Sequence, residues 1–394
     1  MSEFTAWSRL PVDLQHQFFA LAEEESKKCK EKLLEQVERL RAFIRFLRFE
    51  EVLEDDCWRG WRIACVDGSY SPATSERMGA RYGACCAGYL IFEGDRLVDE
   101  GYASDKISQE QVGDPDVTSQ ILMLLSTKLE REWALHCLEK EKVDLLLVDG
   151  AFFGFRAKLS QIRNESIDIA GFKRVGKLAD YIRDLSIEIM DSGKAVGIVK
   201  RVRTNAFDGW LIEKAGDKHQ CLERNDRAVL ASIMPKGHWF AYEWLFGDPT
   251  KYNFYTTLRT AYEKFHVKGG MPLVLEKTEE LIESDVDRSL KCSAEKILRT
   301  SRYYIRCSDS APPFCFETLV GVDVRPILAY FQANHNPATG LPFPLDLVDE
   351  NVALPEGFTK EFVEEVEALL IRDSDLDKYD LSNHFLSINP QKEE

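Results

Sequence analysis

The sequence predicts an α/β protein built on one mixed sheet with helices packed against it, and three observations carry that reading. A first strand, "RIACVDGSY", is followed by "ARYGACCAGYLIF" and "LVDEGYA", which flank the turn Glu93-Gly94-Asp95-Arg96 as a hairpin would. A helical stretch then opens after Pro115 and leads into "VDLLLVDG", whose consecutive apolar residues suit a central strand covered on both faces. A further helical region, to about Met190, leads into the strand "AVGIVKRV". Three strands, helix, strand, helix, strand is the order of a ribonuclease-H-like core. In that arrangement an antiparallel meander shares its first strand with parallel strands delivered by crossovers.

The flanking elements follow in chain order. Residues 12 to 48 read as one long helix, with Leu33, Val37, Leu40, Ile44 and Leu47 at the four-and-three spacing of a helix seam. Such a seam packs on its own domain or on a second chain. The helix after Pro115 places Ile121, Leu124, Leu125, Leu129 and Trp133 on one face. Beyond residue 205, "NDRAVLASIM" is helical, an aromatic-rich stretch follows, and "VKGGMP" marks a loop. "SRYYIRCSDSAPPFCFE" reads as two strands around a Pro-Pro turn, and "TGLPFPLDLVDENVAL" as an extended segment running into a helix start. Phe358 to Arg372 is an acidic helix, and the last twenty residues read as a tail. The expected division is therefore an N-terminal helical segment (1–58), a catalytic domain (59–354) and a C-terminal helix and tail (355–394). Within the middle part, residues 62–203 form the core and 205–300 an elaboration.

Composition narrows the class. At 394 residues, 44% hydrophobic and 30% charged, the chain has the profile of a soluble globular protein. No apolar run approaches the roughly 18 residues that span a bilayer, and the N-terminus lacks a signal core, so a cytoplasmic location away from membranes is expected. The ten cysteines are scattered without a CxxC pair and read as reduced thiols, and the seven histidines form no HExxH pair. A net charge of −16 opposes indiscriminate nucleic-acid binding. Yet Arg156 to Arg203 holds eleven Lys/Arg against six Asp/Glu, a local excess of cations that suits a phosphate-lined path.

The chemistry sits at two strand ends. "IACVDGSY" delivers Asp67 after an apolar run, and "LLLVDGAF" does the same with Asp149. In a ribonuclease-H-like core the metal-binding acids come from the first strand, the helix after the third strand and the end of the fourth. Those places hold Asp67, the Glu130/Glu132 pair and Asp149. Two-metal phosphodiester hydrolysis needs such converging carboxylates around ions about 3.5 to 4 Å apart, and hard oxygen ligands suit Mg²⁺ or Mn²⁺. The plainer reading is that both Asp-Gly pairs are ordinary strand-to-turn exits. Helical periodicity alone does not choose between Glu130 and Glu132. Lys200, Arg201 and Arg203 close the last core strand, where they contact phosphates or lie solvated. Tyr304 and Arg306 alternate onto one face of "YYIR".

With these residues assembled, the chain resembles the NurA family from about Arg62 to Leu354. "VDGS" at Asp67 is similar to its first metal motif, "KLEREWAL" to its helical glutamate motif and "LLLVDGAF" to its third. The 19-residue step from Glu130 to Asp149 matches the family spacing and favours Glu130 over Glu132. "VGIVKRV" with Lys200, "YYIR" with Tyr304 and "GLPFPLDLVDENV" resemble later landmarks. Two positions depart from the pattern. Asp349, followed by Glu350, stands where a histidine is usual, which leaves His335 in "ANHNP" as a substitute, and Ala151 stands where a small hydroxyl residue is common.

The resemblance implies a manganese- or magnesium-dependent DNA exonuclease or endonuclease with two ions per site. It implies a homodimer working with a hexameric HerA-type ATPase in DNA-end processing or phage defence. Under it, Asp67, Glu130, Asp149 and Asp349 hold metal, Lys200 and Tyr304 assist catalysis, and Arg156, Lys200, Arg201, Arg203 and Arg306 grip DNA. One alternative is a catalytically altered scaffold that only caps the ATPase. Another, an actin-like or sugar-kinase ATPase, requires a duplicated phosphate-binding domain that residues after 205 do not offer.

Overall fold

Helix α1 (Val12–Ile44) precedes β1 (Arg62–Tyr70), β2 (Ala80–Glu93), β3 (Arg96–Glu110), α2 (Pro115–Glu139), β4 (Leu145–Asp149), α3 (Val175–Asp191) and β5 (Ala195–Val199). Next come α4 (Ala206–Ala215), α5 (Asp226–Ile233), β6 (His238–Ala241), the long α6 (Tyr252–Leu290), β7 (Thr300–Arg306) and β8 (Phe314–Leu319). Helices α7 (Arg325–Ala333), α8 (Phe343–Val352) and α9 (Phe358–Asp373) follow. The structure is a computed structural model and describes residues 10–71, 74–110, 114–157, 159–200, 202–373 and 383–386.

One sheet organises these elements, in the order β6-β7-β8-β5-β4-β1-β2 with β3 on the outer side of β2. The meander β1-β2-β3 is antiparallel, whereas β1 with β4 and β4 with β5 are parallel. This is the ribonuclease-H-like order read from the sequence. Strands β8, β7 and β6 continue it beyond β5, all antiparallel. The apolar run of β4 is explained by burial on both faces. Leu146 and Val148 join the core under α2 and α3, while Leu145 and Leu147 join the core under α7 and α8.

Several details differ from the sequence reading. The region before α3 is not continuously helical but contains a small hairpin, Ser166–Ile169 with Phe172–Arg174. "VKGGMP" does not form a connecting loop. It kinks α6, with Gly270 at φ 66° just ahead of Pro272, because glycine accepts that angle and proline removes a helical donor. "LPFPLDLVDENV" is mostly helix, with Pro344 in the first turn of α8, where its missing N–H costs nothing. Most of the tail lies outside the described residues. In its described part, Met78 N donates to Leu386 O at 2.9 Å and Gly79 N to His384 O at 3.0 Å.

The seam of α1 is only partly used within the chain. Phe43 docks fully, its ring 5.1 Å from Phe207 and 6.2 Å from Trp210, and the seam residues Leu40 and Leu47 pack against the same core. Leu33, Val37 and Ile44 remain exposed, as do Phe18 and Phe19 nearer the start of the helix. No helix among the described residues is long and apolar enough to cross a membrane.

Candidate active site

Strand alternation brings the acids together. Ile63, Cys65 and Asp67 leave the same face of β1, and Leu145, Leu147 and Asp149 the same face of β4. The two strands run parallel with Cys65 opposite Leu147 and Val66 opposite Val148, so the next step of the ladder places Asp67 beside Asp149. Lys200 follows β5 on that face, two residues after Ile198, which pairs with Asp149. Asp349 reaches in from α8 and Glu130 from α2.

The Asp-Gly pairs turn out to be unlike each other. β1 does not end at Asp67 but runs on through Tyr70, so the strand-exit reading fails there. Gly68 serves close packing instead: a Cβ would stand 2.7 Å from Ser126 Oγ on α2. Gly150 does serve a turn, with φ at 85°, an angle that L side chains rarely adopt. Both glycines are demanded by the fold, for different reasons.

Among the described residues a single cation holds the centre. Lys200 Nζ lies 3.5 Å from Asp67 Oδ2, 3.5 Å from Asp149 Oδ1 and 3.0 Å from Asp349 Oδ2. Asp67 is only 2% exposed. Burial, reinforced by Asp149, pushes its carboxyl up to about 9 despite the relief from Lys200. Burial likewise raises Glu130 to about 7, against the pull of Arg131, and raises Asp149 against the pull of Lys200. Burial alone would lower Lys200, but Asp149, Asp67 and Asp349 outweigh it and hold the ammonium charged. Burial first, and the crowding of acids second, therefore hold these carboxyls toward their protonated forms. Among the described residues no three His, Cys, Asp or Glu side chains form a ready ligand group. The geometry explains this, since the ammonium sits among the aspartates and Glu130 is ion-paired with Arg131.

Of the two helical glutamates, the structure brings Glu130 to the cluster. Glu132 lies on the outer side of α2, accepting from Lys128 Nζ at 2.9 Å and from Tyr181 OH at 3.0 Å. Tyr304 is not brought in. It is fully buried on β7, and its hydroxyl pairs with Tyr242 OH at 3.2 Å, because its face of β7 packs into the aromatic core of α4 to α6. His335 lies near Phe92 and Asp95, its Nδ1 2.9 Å from Gln332 O. Phe92 pairs with Ile63 and Gly88 with Asp67, so His335 is at the opposite end of the sheet from the acids.

The expected DNA-binding cations need correction. Arg306 points its guanidinium at the carbonyls of Met234 (2.8 Å), Ala231, Ser308 and Asp309 (each 3.3 Å), a structural role that leaves little for a phosphate. Arg163, Arg183 and Lys194, counted in the basic stretch, are bonded to Ser289 O, Leu290 O and Val143 O. Arg156 faces Asp285 at 3.8 Å across a cleft of about 370 Å³, and Arg203 is exposed. Arg201 lies outside the described residues.

Sequence reasoning missed the groups that hold the site in place. Glu317 on β8 accepts Phe152 N at 2.8 Å through one oxygen and Arg302 Nε at 2.8 Å through the other, so it anchors the turn that follows Asp149. Arg227 donates to Lys200 O at 2.6 Å and fixes the end of β5. Replacing Glu317 by alanine strands the half-buried Arg302 and the buried Phe152 amide. The expected loss is about 3 kcal/mol or more of unfolding free energy, read from urea denaturation. An unchanged midpoint would show the pair to be dispensable.

The geometry accords with what the chain is similar to. A family model described as the NurA domain matches residues 62–354. The crystal structure of the NurA nuclease from Sulfolobus solfataricus superposes with a TM-score of 0.54 at 16% identity, covering 92% of this chain and 99% of that one. A structure of NurA bound to dAMP and manganese gives a TM-score of 0.51 at 13% identity, covering 95% and 100%. At such identities the likeness is one of fold. No curated protein matches the chain in sequence.

Proposed function

The chain belongs to the NurA family, and on that premise we propose that it is a divalent-metal-dependent DNA nuclease that hydrolyses phosphodiester bonds. The observation that carries this reading is the meeting of Asp67, Asp149 and Asp349 around Lys200, with Glu130 beside them, where the parallel strands β1 and β4 bring two of these acids side by side. The donor set fits a hard cation. It consists of carboxylate oxygens that burial, reinforced by neighbouring acids, holds toward their protonated forms until a cation takes the place of the protons. Manganese in a NurA structure of the same fold supports Mn²⁺, with Mg²⁺ as its oxygen-seeking equivalent.

When bound, divalent ions supply Lewis-acid polarisation of the phosphodiester and a nucleophile at neutral pH. Asp67, central among the acids, Asp149, Glu130 and Asp349 are the residues that would hold such ions. Lys200 supplies a permanent positive charge to the phosphorane oxygens, and it orients the scissile phosphate through the strand end that Arg227 fixes. Arg156 and Arg203 are the remaining described candidates for contacts to the DNA backbone. Homodimer formation and work alongside a HerA-type ATPase, in end processing or defence, complete the proposal. The exposed apolar face of α1 supports such contacts.

The test is incubation of the purified protein with end-labelled single- and double-stranded linear DNA in Mn²⁺, Mg²⁺ or EDTA. Cleavage in the metals and none in EDTA is expected. The alternative, a scaffold without chemistry, rests on aspartate replacing histidine at position 349. It predicts no cleavage even when a HerA-type ATPase and ATP are added.

A further inference from the structure

The buried guanidinium of Arg131 stands next in sequence to Glu130 and is 2% exposed. A charge so deeply buried is costly unless several partners satisfy it, and each partner here belongs to the framework of the site. One nitrogen, Nη1, pairs with Glu130 Oε1. Nε donates to Ser186 Oγ on α3 at 3.3 Å, and that hydroxyl in turn donates to Ile182 O at 2.8 Å. Nη2 lies 3.4 Å from Ala151 O and 3.5 Å from Phe152 O, the carbonyls of the turn that begins at Asp149. Glu317 grips the amide of the same turn.

We propose that Arg131 is a positioning residue for the metal site, one that holds the Glu130 carboxylate and the Asp149 turn in fixed relation; the inference rests on the nuclease reading above. Glu130 and Asp149 come from different layers, a helix and a strand end, and among the described residues no backbone hydrogen bond ties one to the other. A planar fork with five donors ties both to α3 at once. One Glu130 oxygen is committed to the fork, and the other is left for a cation. Lysine carries the same charge but has no fork and cannot reach all these acceptors together. Partners that orient metal ligands typically contribute about 10- to 100-fold in metal affinity.

Arg131→Lys is the informative variant, compared with wild type, Glu130→Gln and the double variant. Mn²⁺ binding is measured by electron paramagnetic resonance, and DNA cleavage is followed across Mn²⁺ concentrations well below the melting temperature. The expected result is a rise of tenfold or more in the half-saturating Mn²⁺ concentration, with the maximal rate in saturating Mn²⁺ changed less than about threefold. In the Glu130→Gln background, Arg131→Lys is expected to add little, since it acts through that carboxylate. A lower melting temperature with an unshifted Mn²⁺ dependence overturns the proposal and leaves Arg131 a structural residue. Equal and additive losses in the two backgrounds overturn it as well. If wild type binds Mn²⁺ but cleaves no DNA even with a HerA-type ATPase and ATP, the nuclease reading fails, and the binding series still decides the role of Arg131.

Discussion

Asp67→Asn is expected to reduce metal-dependent DNA cleavage by about three orders of magnitude, equivalent to roughly 4 kcal/mol of transition-state stabilisation. Asparagine keeps the shape and the acceptor for Gly68 N, which lies 2.7 Å from Asp67 Oδ1. It removes the charge that Asp149, Glu130 and Lys200 surround. The same variant is expected to be at least as stable as wild type in EDTA, and the sign follows from linkage. The Asp67 carboxyl is raised from 3.8 to about 9 in the fold, so the folded state binds more protons than the unfolded state between those values. Stability from this group therefore falls as pH rises through that window, and asparagine removes the loss. Melting curves in EDTA from pH 6 to 9 should decline in wild type and flatten in the variant. Mn²⁺ binding should tighten in wild type over the same range, since the ion displaces protons from Asp67 and Glu130. Undiminished cleavage by the variant in Mn²⁺ would remove Asp67 from the site.

Lys200→Met is expected to lower cleavage about 100-fold and to destabilise the protein in EDTA by about 3 kcal/mol. The ammonium is the one cation within 3.5 Å of Asp67, Asp149 and Asp349 among the described residues. Methionine keeps the aliphatic length and leaves three carboxyl groups facing one another. Bound Mn²⁺ neutralises the same oxygens, so its stabilising effect should be larger in the variant than in wild type. Thermal shifts with and without Mn²⁺ read this directly. Full activity with lost stability would restrict Lys200 to counter-charge, and an unchanged melting temperature in EDTA would deny even that.

The sequence by itself determined the arrangement of the core strands β1 to β5, because hydrophobic runs, a hairpin turn and helical periodicity are local signals that survive without a partner, whereas the continuation of the sheet through β8, β7 and β6 was not legible. It put Asp67 and Asp149 on neighbouring strands of that core, and the structure sets the two positions side by side. Glu130 over Glu132 required the resemblance, because both glutamates satisfy the helix pattern and only packing of α2 on the sheet separates them. The cations were read least well. Counting Lys and Arg along the chain takes no account of carbonyls contributed from distant residues, which is how Arg163 came to look available, and strand alternation is equally blind to the carbonyls that hold Arg306. Arg131 did leave a trace, a charge seven residues after Leu124 on the buried stripe of α2. What that charge was for depended on Ser186, Ala151 and Phe152, up to 55 residues away in sequence. Only the tertiary structure decides such partnerships, because a guanidinium binds whichever acceptors the fold brings within about 3 Å.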